Sequence, residues 1–143
     1  MKIYQATRLY EAWLTTQTVL VAKDLALKHV LMKRDAFSFL RATFYRWMQV
    51  WPAVCADIVT APVLQAIGDL HVENFGTWRD REGRLIWGIN DFDEVYPLPY
   101  TNDLVRLAVS ANVAIETKHL SIKPKDAYDA ILTGYTEGLK SGG

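Results

Sequence analysis

The stretch Gly68-Asp69-Leu70-His71-Val72-Glu73-Asn74-Phe75-Gly76 gathers residue types that can do chemistry, with Asp69 and Asn74 five positions apart. An aspartate can accept the proton of a substrate hydroxyl, and an asparagine amide oxygen can face a Mg²⁺ ion carried on phosphates. A short loop anchored by a following strand would set those two directions. A second stretch, Ile89-Asn90-Asp91-Phe92-Asp93-Glu94, supplies further oxygen donors. If the segment between the two folds back as a hairpin, Asp91 returns to the neighbourhood of Asn74, and three oxygen donors converge from two loops. Hard oxygen donors suit Mg²⁺ or Mn²⁺ better than zinc. The competing reading is that Asp69 and Asn74 only cap turns, while Asp91 and Asp93 lie on a solvated loop.

The elements that must position these residues can be read from periodicity. Phe75 to Trp78 and Arg84 to Ile89 predict two short strands, and Asp80-Arg81-Glu82-Gly83 between them predicts the turn of a β-hairpin. Residues 62 to 67 predict an extended approach to Gly68-Asp69. Residues 90 to 99 read as an acidic, proline-containing loop. A helix is expected from Thr101-Asn102-Asp103 to about Lys118, with Leu104, Leu107, Ala108, Ala111 and Ile115 on its apolar face, and another from Pro124 to about Leu139. Ahead of the loop, residues 3 to about 33 predict one long helix. Asp35, as N-cap, predicts a second helix that Trp51-Pro52 would end. The fold class is thus α+β, mainly helical, with a short β-hairpin carrying the site.

Composition narrows the function classes. Lys and Arg number 16, as do Asp and Glu, so no net field favours nucleic acid or an anionic membrane. Apolar runs are broken well short of the ~18 residues a membrane span needs. The five tryptophans fall on apolar faces or strands with no basic stripe beside them, which favours packing over base stacking. Cys55 is the sole cysteine, so no internal disulfide can form, and a cytoplasmic location is expected. Arg41, with Lys33, Arg34 and Arg46, makes a local basic cluster that is either a contact for cofactor phosphates or a solvated helix face.

The Gly-Asp-Leu-His-x-x-Asn and Asp-Phe-Asp-Glu loops resemble the aminoglycoside and choline phosphotransferase branch of the kinase-like superfamily. More closely, three blocks resemble the uncharacterised bacterial family "domain of unknown function 2252": Ala36 to Arg41, Gly68 to Gly76, and Asn90 to Glu94 with Asp103-Leu104-x-Arg106-Leu107. The resemblance spans about residues 33 to 112 and implies the catalytic, C-terminal lobe of a kinase-like fold. It implies Asp69 as catalytic base, Asn74 and Asp91 as metal ligands, and Asp93 as an auxiliary ligand. His71 would orient the loop through hydrogen bonds, or else ligate metal. Asp103 would brace the catalytic loop from the start of a helix, although capping alone also explains it. The implied activity is Mg²⁺- or Mn²⁺-dependent transfer of phosphate from ATP to an unidentified hydroxyl acceptor.

The chain departs from these patterns in two places. Asp35-Ala36 and Ala42 stand where the family carries proline and glycine, which bears on Arg41. No Gly-x-Gly-x-x-Gly and no lysine-bearing strand of the Val-Ala-Ile-Lys type precede the loop. The expectation is therefore a single catalytic-loop domain over residues 1–143 belonging to a longer chain, with apolar surface exposed toward missing parts and open to self-association. One alternative is a degenerate, non-catalytic kinase-like binding module. Another is a metal-dependent phosphoesterase, because Gly-Asp-x-His also opens such sites. Those need several more ligands, and His29 and His119 lie in helical stretches.

Overall fold

A computed structural model describes residues 1–142. The arrangement is α+β and mainly helical, with six α-helices and two small antiparallel sheets among the described residues. The chain divides into two compact units, Met1–Asp57 and a second from Ile58 onward.

The first unit is helical throughout: α1 (Ile3–Gln17), α2 (Ala22–Leu31), α3 (Ala36–Ala42) and α4 (Phe44–Val54). Each long helix expected from the sequence is thus a pair. The first run breaks at Thr18, which is extended at φ −155° and ψ 163°. This is where Thr15, Thr16, Thr18, Val19 and Val21 crowd together, and β-branched residues are poor helix formers. The break lets α2 fold back, so that Glu11 Oε1 meets His29 Nε2 at 2.5 Å and Lys28 lies over the Tyr10 ring. The second run begins as expected at Asp35, whose Oδ1 accepts the Ser38 N–H at 2.7 Å. It is interrupted at Thr43, then resumes. Trp51-Pro52 does not end it: α4 continues to Val54 with Pro52 inside. The missing proline N–H costs one hydrogen bond, but continuing the helix buries Trp51 to 3% exposure beside Trp47. α4 is held to α1 by the stacked rings of Tyr10 and Tyr45, and by a 2.8 Å bond between Thr7 Oγ1 and the Tyr45 hydroxyl.

The second unit contains β1 (Val63–Ala66), β2 (Phe75–Arg79), β3 (Leu85–Ile89), β4 (Tyr96–Pro99), α5 (Thr101–Lys118) and α6 (Pro124–Ser141). β2 and β3 form the expected hairpin, with Phe75 opposite Ile89 and Arg79 opposite Leu85. Asp80 organises its turn, taking the N–H groups of Glu82 and Arg84, and Gly83 supplies a φ of 79°. The segment expected to be wholly loop holds a strand instead: β4 pairs antiparallel with β1. Its prolines fit because of their register. Tyr100 donates to the Pro62 carbonyl, so residue pairs 62–100, 64–98 and 66–96 carry the ladder. Pro97 and Pro99 occupy the intervening positions, where no N–H is needed.

α5 corrects the sequence reading of its inner face. The positions buried from solvent are Asn102, Arg106, Ser110, Ala111 and Ala114, while Leu104, Leu107, Ala108 and Ile115 are only half-buried. The helix turns a polar stripe inward. No helix among the described residues is long and apolar enough to cross a membrane. Trp51→Ala is expected to lower the stability of the helical unit by about 3–5 kcal/mol. Urea titration followed by circular dichroism checks this, and a loss under about 1 kcal/mol would show that the ring is not core-packed.

Candidate functional site

The inward polar stripe of α5 meets the loop that leaves β1. Asp103 accepts the Ile67 N–H at 2.6 Å on Oδ2 and the Gly68 N–H at 3.1 Å on Oδ1. Asn102, with no solvent exposure, donates from Nδ2 to the Gly68 carbonyl at 3.4 Å. Gly68 sits at φ 84°, a conformation that would strain any residue with a Cβ. One turn further along α5, Arg106 is fully buried and donates from both Nε, at 2.7 Å, and Nη2 to Asp69 Oδ1. One more turn on, Ser110 Oγ accepts the Val72 N–H at 3.1 Å and donates to the Leu107 carbonyl. Residues 102, 106 and 110 stand four apart, so a single helix face holds the loop at three successive points.

The loop also closes on itself. Asn74 Oδ1 accepts the His71 N–H at 2.6 Å, and the Asn74 N–H returns to the His71 carbonyl at 2.9 Å across a single 3-10 turn, Val72–Asn74. His71 and Asn74 are buried, at 2% and 3% exposure. Asn90 donates its N–H to the Asn74 carbonyl at 2.9 Å, extending the hairpin ladder by one step. Gly76 permits this closeness, since a Cβ there would stand 2.7 Å from Asn90 Nδ2. Asp91, half-buried, follows directly, and its Oδ1 accepts the Asp93 N–H at 3.4 Å.

The electrostatics show a concentration of negative charge. Burial pushes the Glu94 carboxyl above its usual pKa, and repulsion from Asp69, Asp91 and Asp93 pushes it further, against the pull of Arg106. Burial pulls Arg106 down, and Asp69, Glu94 and Asp103 push back. Asp69, Glu94 and Asp103, from two loops and one helix, all act on the buried Arg106 guanidinium. Among the described residues no three His, Cys, Asp or Glu side chains group as a ready-made metal cage.

The structure thus brings Asp69, His71, Asn74, Asp91 and Asp93 into one unit, on two loops joined by the hairpin. Arg41 lies on the last turn of α3 in the other unit, exposed to solvent. Four contributors were not singled out as site residues from the sequence: Asn102, Arg106, Ser110 and Glu94, although Arg106 and Glu94 stand within the quoted motifs. A signal existed for the first three, namely polar residues at four-residue steps in a helix whose other positions are mostly apolar. Glu94 closes the Asp-Phe-Asp-Glu motif, but its proximity to Asp69 and Arg106 depends on contacts distant in sequence.

The model of the family described as "Uncharacterized protein conserved in bacteria (DUF2252)" matches residues 20–142. No curated protein and no solved structure matches the chain.

Two outcomes follow from this geometry. Arg106→Met leaves the Asp69 carboxylate without its buried partner and is expected to cost about 3–5 kcal/mol of stability, measured by denaturant titration. A cost below about 1 kcal/mol would mean the pair is not what holds the loop. For Glu94, the raised folded pKa means that the folded state keeps a proton the unfolded chain has already released. Its stabilising contribution is complete below the ordinary value of 4.5 and is lost as pH rises through the raised folded value. The wild type should therefore lose stability relative to Glu94→Gln as pH rises from about 4.5 through the raised folded value, and parallel stability curves would contradict the assignment.

Proposed function

The chain belongs to the DUF2252 family, and for it we propose a kinase-like phosphotransferase site that works on a divalent-metal complex of a nucleotide, with ATP as donor and a hydroxyl compound as acceptor. The observation that carries this reading is a gathering of acids: beyond burial, which raises the Glu94 pKa most, Asp69, Asp91 and Asp93 raise it further, and Arg106 lowers it. Such a group of carboxylates favours a bound cation.

The donor set fits Mg²⁺ or Mn²⁺ held together with phosphate. Mg²⁺ is commonly bound by one or two carboxylates with phosphate oxygens and water completing the shell, so a cage of three protein carboxylates is not required. Asp91 and Asp93 would hold the ion. Asn74 would add the second lone pair of its amide oxygen, the first being taken by His71 N–H. When bound, the ion would neutralise charge on the transferring phosphoryl group.

The chain's own residues do the rest. Asp69, whose side chain is 13% exposed, receives the proton of the acceptor hydroxyl. Arg106 fixes the direction of that carboxylate by putting two donors on one oxygen. Asp103 and Asn102 hold the backbone just before it, and His71 holds the loop from inside. The Asp69–Arg106 pair also favours a second reading, a kinase-like module that binds a metal–nucleotide without transfer, because a carboxylate engaged by a buried arginine is a weaker base.

Calorimetric titration with Mg²⁺–ATP tests the site. Binding by the wild type should weaken at least tenfold in Asp91→Ala. A folded wild-type chain that binds neither Mg²⁺–ATP nor Mn²⁺ would overturn the proposal. ADP formation with a panel of hydroxyl acceptors separates the two readings. Transfer that disappears in a folded Asp69→Asn variant supports catalysis, and binding with no transfer supports the module.

A further inference from the structure

The helical unit Met1–Asp57 holds a cavity of about 580 Å³ that shares no residue with the acidic site. Its volume lies within the range of about 300–1,000 Å³ typical of small-molecule pockets. α1 packs on α4, and α2 packs on α3, which leaves a space between α1 and the corner where α2 gives way to α3. Ile3, Tyr4 and Thr7 line one wall, and Met32, Ala36 and Phe39 line the other, so the interior is largely apolar.

The charged residues at this cavity are unevenly committed. Glu11 is bound to His29 at 2.5 Å. Asp35 gives Oδ1 to the Ser38 N–H at 2.7 Å, and Oδ2 to the Ser38 hydroxyl at 2.8 Å and to Arg34 Nε at 3.3 Å. Those bonds hold the Asp35 carboxyl below its usual pKa, the Ser38 backbone bond contributing most. Arg8 and Lys33 also line the cavity and are exposed, yet neither side chain makes a hydrogen bond or ion pair among the described residues. The cavity's acids are already satisfied, whereas two cations on opposite walls have no anion.

We propose that this cavity binds an amphipathic organic anion. Its apolar body, of small-molecule size, packs against Met32, Ala36 and Phe39, and its carboxylate or phosphate head sits between Arg8 and Lys33. The charge complementarity decides the class. An uncharged apolar ligand would fill the space but leave both cations as they are, and a cationic one would be repelled. This inference does not depend on the phosphotransfer reading, which concerns other residues.

The test is calorimetric titration of the full chain with decanoate, decyl phosphate and decanol, which share one apolar body and differ in the head. One anion is expected to bind per chain, with decanol at least tenfold weaker; the tighter of the two anions identifies the head. The double variant Arg8→Gln/Lys33→Gln, at two exposed positions, should keep its circular dichroism spectrum and lose the preference for the anions over decanol. Ala36→Phe, which fills the space, should abolish binding of all three. Equal binding of decanol and the anions, an unchanged preference in the double variant, or no binding by the folded wild type would each overturn the proposal.

Discussion

A guanidinium with no solvent exposure is tolerated only where anions face it, and in this protein that requirement organises the second unit. Arg106 is buried on α5, with Asp69 on Nε and Nη2 and with Glu94 and Asp103 close enough to favour its charged form. The pair dictates which face of α5 turns inward, and therefore why that face is polar. It also dictates where the loop after β1 must run. Asp103 and Asn102 then have backbone groups within reach, and Ser110 meets Val72 one turn further on. The β1–β4 sheet serves the same end. One strand leads into the loop and the other into α5, so their pairing sets the starting distance between the two partners of the ion pair.

The hairpin carries this order to the second acidic loop. Because the Asn90 N–H bonds the Asn74 carbonyl, any shift in hairpin register would move Asp91 away from Asn74. Gly76 allows the approach by having no side chain to meet Asn90. Rigid backbone ties thus collect carboxylates that repel one another, and this repulsion adds to burial in raising the pKa of Glu94. The divalent ion on phosphate that we propose for this site would meet such oxygen donors. The helical unit shows the complementary situation: satisfied acids and two cations without anions, around an apolar space. The family match runs from residue 20 to 142 and so includes most of both units.

Sequence pattern determined a good deal of this protein. The α+β class, the hairpin with its Asp80–Gly83 turn, the N-cap at Asp35, the start of α6 at Pro124 and the family itself are all legible in local residue order. Each depends on neighbours within a few positions: a side chain bonding its own backbone, a glycine at positive φ, or a proline at the first position of a helix. The return of Asp91 to the neighbourhood of Asn74 was legible too, because a hairpin joins the two loops. What only tertiary structure decided is everything whose partner is distant in the chain. Burial of Trp51 carried α4 through Pro52 against local preference. Pairing with β1 made a strand of Tyr96–Pro99, whose prolines fall between the ladder bonds. The inward face of α5 followed its buried ion pair rather than its leucines, because an unpaired buried charge costs more than a half-exposed leucine gains.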